Sequence, residues 1–267
     1  MSRPLITVAG ALRGTLRRAP RRVLGLDFDG TLAPFCSQRM EARPYPGVVP
    51  LLETIRAQGD TLAFFSGRPV TEVRQLLGPL GELCPIFGCH GGEDGWPGDA
   101  PQSRPLPLHV QQGLETAACV LRDHWQRRYP GAPCPLERKH GALAFHTRAH
   151  PCAAAEEPFC RNLWSHVARN TGLRFTPFDG GWELRYDRFN KGEALERFLA
   201  DLGEPAFVAY LGDDLTDEDA FAVVASHGLG GLVRSRGRPT RAAAWCAPPE
   251  EILQFLALWG NVGKGAR

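Results

Sequence analysis

Apolar residues along this chain follow two rhythms. Four nearly unbroken runs, Val23 to Leu26, Thr61 to Phe65, Pro85 to Phe87 and Phe207 to Leu211, each end in a glycine or polar turn signal. Runs of that length read as buried strands of a parallel sheet. Between them the spacing becomes helical. Val48, Val49, Leu51, Leu52 and Ile55 predict one helix closed by Gly59; Val73, Leu76 and Leu77 predict a second, which stops near Gly78-Pro79. Leu195, Phe198 and Leu199 predict a third over Glu193 to Leu202, and an acidic first turn starts another after Gly212. Strand alternating with helix implies a parallel sheet with right-handed crossovers. Gly230 to Val233 and Ala242 to Cys246 read as short edge strands, and Pro248 to Trp259 as a closing helix.

The middle of the chain breaks this pattern. Gly95 to Pro107 is rich in Gly and Pro and reads as a linker. A helical stretch follows, Leu108 to Tyr129, then alternating runs Pro135 to Lys139 and Ala142 to Arg148 about a His140-Gly141 turn. A helix from Ala153 to Asn170 precedes a second strand pair, Leu173 to Thr176 and Trp182 to Tyr186, joined at Asp179-Gly180-Gly181. This is an antiparallel α+β pattern, so 104–186 reads as an inserted domain. Residues 21–103 and 187–267 are expected to form the α/β core, and 1–20 a solvated, disordered arm. Leu32 to Pro46, proline-rich and without periodicity, reads as a loop over the first strand's end.

Bulk composition narrows the function classes. The 267 residues carry a net charge of +2, which favours neither nucleic acid nor a membrane surface. Basic charge clusters only at Arg13, Arg17, Arg18, Arg21 and Arg22, which is what suggests the solvated arm. No apolar run is long enough to span a bilayer. Eight cysteines without a Cys-x-x-Cys read as reduced thiols of a cytoplasmic protein. Among 31 Lys and Arg residues lysine occurs only at Lys139, Lys191 and Lys264, so each lysine invites a role for a compact point charge.

Candidate chemistry sits where the core strands end. Asp27 and Asp29 follow the first run, and Gly30 supplies the turn that lets both carboxylates reach one site. Ser66-Gly67-Arg68 follows the second run, Lys191 opens a helix, and Asp213, Asp214 and Asp217 follow the last run. Chemistry in such sheets gathers at the carboxyl ends of the strands. Together these residues supply a carboxylate nucleophile, a second acid, a hydroxyl and a cation for phosphate, and acids for a divalent metal. Phosphoryl transfer needs that set, because its catalysis is largely positioning and charge neutralisation. Mg²⁺ favours one or two carboxylates plus substrate oxygens.

Asp27-Phe28-Asp29-Gly30-Thr31, Ser66, Lys191 and Gly212-Asp213 with Asp217 resemble the four motifs of the haloacid dehalogenase superfamily. The insert resembles the αβ cap of its sugar-phosphatase branch. Gly88-Cys89-His90-Gly91-Gly92-Glu93, Glu137-Arg138-Lys139 and Glu183-Leu184-Arg185 are most similar to the trehalose-6-phosphate phosphatases. The resemblance implies a Rossmann-like core with a cap that closes about hinges near 95–107 and 187–190. It implies that Asp27 attacks phosphorus, and that Asp29 protonates the leaving oxygen and then activates water. Mg²⁺ would lie between Asp27, the backbone carbonyl of Asp29 and Asp213, with Asp214 as ligand or nearby support and Asp217 supporting. Ser66, Gly67 and Lys191 would bind the phosphoryl group; Arg68, His90, Glu137, Lys139 and Glu183 would meet the sugar. His146 and Arg148 share a strand face without an assigned role.

The expectation is a cytoplasmic, monomeric phosphatase of a small-molecule sugar phosphate, with neither nucleic acid nor membrane as partner. The sugar stays open: sucrose phosphate, mannosyl glycerate phosphate and monosaccharide phosphates are alternatives to trehalose 6-phosphate. So does a non-catalytic sugar-phosphate-binding module.

Overall fold

The strand Arg22–Leu26 is buried on both faces, with Leu24 and Leu26 on one side of its sheet and Val23 on the other. That is why its sequence is a continuous apolar run and does not alternate. The computed structural model describes residues 3–36, 38–148, 150–169, 171–178, 180–203 and 206–263. These divide into two compact units, Met1–Gln102 with Asn190–Arg267, and Ser103–Phe189.

Among the described residues the first unit holds a nine-stranded sheet. Its order is Arg3–Pro4, Ala244–Cys246, Gly228–Val233, Phe207–Gly212, Arg22–Leu26, Thr61–Phe65, Ile86–Gly88, Glu93–Gly95 and Gln102–Ser103. Pairing is parallel from Arg3–Pro4 through Ile86–Gly88, and Glu93–Gly95 then runs antiparallel. The helices Val48–Ala57 and Glu250–Gly263 contribute Leu52, Ile55, Phe255 and Trp259 to one apolar layer. Lys191–Leu202 and Glu218–Val224 contribute Leu195, Phe198 and Phe221 to the other.

Two expectations give way here. The first residues are not a solvated arm: Leu5–Ala11 and Arg13–Arg18 are helical, and Leu5, Ala9 and Leu16 are buried in the core. Their arginines stay on the outer side of short helices whose few apolar positions do the anchoring. Gly228–Val233 is interior rather than an edge strand, because Ala244–Cys246 pairs beside it and Arg3–Pro4 beyond that.

The second unit pairs Leu136–Lys139, Ala142–His146, Gly181–Tyr186 and Leu173–Phe178 in one antiparallel sheet. The helices Leu108–Arg128 and Glu157–Ala168 cover one face, where Leu121, Trp125 and Trp164 join Leu143, Phe145 and Leu184. Alternation sends Glu137, Lys139, Ala142, Ala144, Glu183 and Arg185 to the opposite face. Register puts Glu137, Ala144 and Glu183 in one row and Lys139, Ala142 and Arg185 in the next. Asn170, the expected helix end, Asp179 of the expected turn, and Lys264 lie outside the described residues. No helix among the described residues is long and apolar enough to cross a membrane.

Candidate active site

Strand pairing ends at Leu26, and the Asp27 amide makes one last bond to the Leu211 carbonyl at 2.9 Å. The chain then turns. Leu32 and Ala33 amides both donate to the Phe28 carbonyl, and Gly30 sits at φ 78°, in the left-handed region. A side chain there would also collide with the Asp213 carboxylate, so glycine is required twice over. The turn leaves Asp27 buried and Asp29 partly exposed on one loop.

Lys191 is the hub of the buried charges. It opens the helix Lys191–Leu202, capped by the Asn190 side chain, which accepts from the Glu193 amide at 2.8 Å. Its Nζ donates to Asp27 Oδ1 and to Asp217 Oδ1, each at 2.7 Å. Asp27 Oδ2 also accepts from Thr31 Oγ1 at 3.3 Å. Asp217 is saturated: Oδ1 takes the Tyr210 hydroxyl as well, at 2.7 Å, and Oδ2 takes the amides of Asp213 and Asp214. Among the described residues no group donates to the Asp213 carboxylate.

Carboxylate oxygens of Asp27, Asp213 and Asp217 lie within 4.8 Å of one another. Burial lifts the Asp27 carboxyl to about 7, with Lys191 pulling it down and Asp217 pushing it up. Burial and then the Asp27 charge raise Asp213 well above the carboxylate range. Burial disfavours the Lys191 ammonium, yet Asp217 and Asp27 outweigh it and raise its pKa. The cluster therefore holds more negative charge than one lysine balances. An all-oxygen set with open lone pairs on Asp27 and Asp213 fits a hard divalent cation.

Two carboxylates of the expected site have protein partners of their own. Asp214 turns its carboxylate to the Asp217 amide in a capping box at the turn Leu215–Asp217, so Asp217 and not Asp214 stands in the acid cluster. The Asp29 carboxylate is taken by Arg68, whose Nε donates to Oδ2 at 2.6 Å and Nη2 to Oδ1 at 2.7 Å. Arg68 Nη1 donates further to the Arg39 carbonyl at 2.8 Å, and Glu72 lies 3.4 Å away.

Ser66 is buried at the end of Thr61–Phe65, its Oγ accepting from the Arg68 amide at 3.1 Å. His90 is tied to this loop by its amide, which donates to the Ser66 carbonyl at 2.9 Å. Its ring lies over Gly67, where a Cβ would stand only 2.8 Å from the imidazole. Cys89 and His90 take φ of 50° and 58°, a left-handed pair that side chains seldom adopt and that stores strain at functional loops.

On the polar sheet face of the second unit, Lys139 Nζ donates to Glu183 Oε1 at 3.0 Å, and His146 Nε2 lies 2.8 Å from Glu137 Oε2. The expected sugar-contacting residues Glu137, Lys139 and Glu183 are thus gathered on one surface. Arg148 follows that strand at the turn near Gly180.

Sequence reasoning quoted Thr31 and Arg185 in motifs without a role, and missed Tyr210 and Glu72. Tyr210 had a signal, being the one hydroxyl inside an otherwise apolar strand. Burial, then Asp217, raises its phenol well above the usual range, which keeps it a hydrogen-bond donor. Arg185 is buried, and its Nε has no hydrogen-bond partner among the described residues.

Known proteins match this arrangement. The trehalose-phosphatase family profile matches residues 25–243. A trehalose-phosphate phosphatase of Mycobacterium marinum is 32% identical over 244 residues, covering 88% of this chain and 60% of that protein. Trehalose 6-phosphate phosphatase RA3 of Zea mays is 30% identical over 272 residues, covering 92% of this chain and 71% of that protein. The chain thus spans about 60% of the length of the trehalose-phosphate phosphatases of Mycobacterium marinum and Mycobacterium ulcerans. The C-terminal domain of the Candida albicans trehalose-6-phosphate phosphatase shares the fold, with a TM-score of 0.81 at 21% identity over 98% of both chains. The matched segment runs through all four clusters that build the site, and the chain belongs to the trehalose-phosphatase family.

Proposed function

We propose that this chain is a Mg²⁺-dependent phosphatase that hydrolyses trehalose 6-phosphate through an aspartyl-phosphate on Asp27. The observation that carries it is the buried Asp27 carboxylate, fixed by Lys191 at 2.7 Å with a second acid, Asp29, two residues on. A binding module would need neither acid in that position.

In the first step an Asp27 oxygen bonds to phosphorus and the bond from phosphorus to the sugar oxygen breaks. Asp29 gives its proton to that leaving oxygen. In the second step Asp29, now ionised, takes a proton from water as the water oxygen bonds to phosphorus, and Asp27 is released. The Arg68 fork fixes the orientation of the Asp29 carboxyl group for both proton transfers. Lys191 and the Ser66 hydroxyl bind phosphoryl oxygens as charge moves between them. A bound Mg²⁺, held by Asp27 and Asp213, would supply further neutralisation of phosphoryl charge. Lys139, Glu183 and Glu137 would bond sugar hydroxyls. Eight cysteines without a Cys-x-x-Cys support a cytoplasmic setting.

The test is phosphate release with Mg²⁺ from a panel of trehalose 6-phosphate, sucrose 6-phosphate, a mannosyl glycerate phosphate and glucose 6-phosphate. Trehalose 6-phosphate is expected to give the highest kcat/KM, by about tenfold or more. A higher value for another sugar reassigns the substrate, and binding without release would overturn the enzyme reading.

A further inference from the structure

The loop after the Asp27–Asp29 turn carries an aromatic ring that none of this chemistry uses. Five large hydrophobic side chains are exposed among the described residues, and Phe35, at 49%, is the one aromatic. Its ring is seated at the acid cluster. The Cζ atom lies 2.8 Å from where a Cβ on Gly30 would stand, and the Asp213 carboxylate crowds that same point. One edge of the ring therefore rests on the Asp29-Gly30 turn beside Asp213, while about half of the side chain faces solvent.

The loop presenting the ring is anchored downstream. The Tyr45 amide donates to the Leu32 carbonyl at 2.8 Å, and Arg39 Nε donates to Glu72 at 2.7 Å. Tyr45 packs partly against the core, whereas Phe35 has no such cover. Leu215, directly after Asp213-Asp214, is also exposed, at 54%. Two of the five exposed large apolar side chains therefore belong to the segments that carry the acids.

Apolar surface left in water beside convergent polar groups marks a ligand contact. The ligand must bring an apolar face close to a phosphoryl group. A pyranose does so: its hydroxyls lie at the rim, and its C–H bonds face outward from the ring. The electron-rich face of a phenyl ring attracts such weakly positive hydrogens.

We propose that Phe35 is a specificity-determining residue, an apolar platform for the carbohydrate ring of the ester whose phosphoryl group Asp27 takes. This rests on the sugar-phosphatase reading above. The ring would stabilise sugar binding and add nothing for a bare phosphate analogue.

The experiment compares wild type, Phe35→Ala and Phe35→Trp, using trehalose 6-phosphate kinetics and inhibition by orthovanadate, which probes the phosphoryl site without a sugar. Phe35→Ala is expected to raise KM by about tenfold with kcat within about threefold, as fits one aromatic contact. Phe35→Trp should restore KM, and vanadate inhibition should stay within about twofold in both variants. An unchanged KM in Phe35→Ala, or a vanadate constant that shifts in parallel with KM, overturns the platform. Where wild type prefers another sugar phosphate, the same comparison is made with that ester. A wild type that releases phosphate from no sugar ester overturns the function reading and the platform together; normal turnover with an indifferent Phe35→Ala overturns the platform alone.

Discussion

Arg68 grips Asp29 with both arms of its guanidinium, Nε to Oδ2 at 2.6 Å and Nη2 to Oδ1 at 2.7 Å. The two residues are 39 positions apart. The strand Thr61–Phe65 beside Arg22–Leu26 brings them together, since both sit just past the ends of paired strands. The fork fixes the plane of the carboxylate.

That geometry separates arginine from lysine. Arg68→Lys keeps the charge and loses the two-armed contact, so kcat on trehalose 6-phosphate is expected to fall by about tenfold. Arg68→Ala should cost on the order of a hundredfold. Steady-state rates check this, and a lysine variant at wild-type kcat would show that the fork has no part in turnover.

Without a cation the protein should lose stability as pH rises from 5 to 8. The Asp27 pKa in the folded chain, about 7, lies above its ordinary 3.8, so the folded state binds the extra proton in that window. Stability from this group is complete below its ordinary value and is lost as pH climbs through 7. Asp213 is shifted the same way. The raised Lys191 pKa contributes stability that is lost only above 10.5, outside the window. Thermal melts in EDTA should give a lower Tm at pH 8 than at pH 5, and saturating Mg²⁺ should flatten or reverse the slope. A Tm that rises with pH in EDTA would contradict the charge assignment.

The acid cluster was legible in the sequence because each member follows a local signal. Asp27 and Asp213 each follow an apolar run, and Lys191 follows a capping asparagine. The Arg68–Asp29 fork was not legible, since local sequence does not say which carboxylate a guanidinium will take. Nor was the engagement of the Asp214 carboxylate, which depends on a capping box closing within three residues. The first twenty residues misled because Arg13, Arg17 and Arg18 hid the apolar positions Leu5, Ala9 and Leu16 that tie them down. Glu93–Gly95, three residues long with one apolar neighbour, carries no strand signal of its own.

Glu156 should hold the second unit together. It is buried and accepts the Tyr129 hydroxyl at 2.7 Å and Arg128 Nε at 3.0 Å, with His124 Nε2 at 2.7 Å. Two partners from the helix Leu108–Arg128 and a third from its C-cap, Tyr129, converge on it. Glu156→Ala removes all three bonds, and with Arg128 reaching solvent the expected cost is about 2 kcal/mol. Urea denaturation followed by tryptophan fluorescence would measure it, and a loss under about 1 kcal/mol would contradict the role.

Lys139 should act on affinity. Its ammonium is held by Glu183 on the polar sheet face at 3.0 Å. Lys139→Met is expected to raise KM for trehalose 6-phosphate by about tenfold while the vanadate inhibition constant stays put. Equal shifts in both would place Lys139 in a structural role.

The most direct measurement is rapid acid quench of turnover on ³²P-labelled trehalose 6-phosphate, followed by peptide mapping. The expected result is alkali-labile label on the peptide holding Asp27, and neither label nor turnover in Asp27→Asn. Label on another residue, or Asp27→Asn turning over at the wild-type rate, would contradict it.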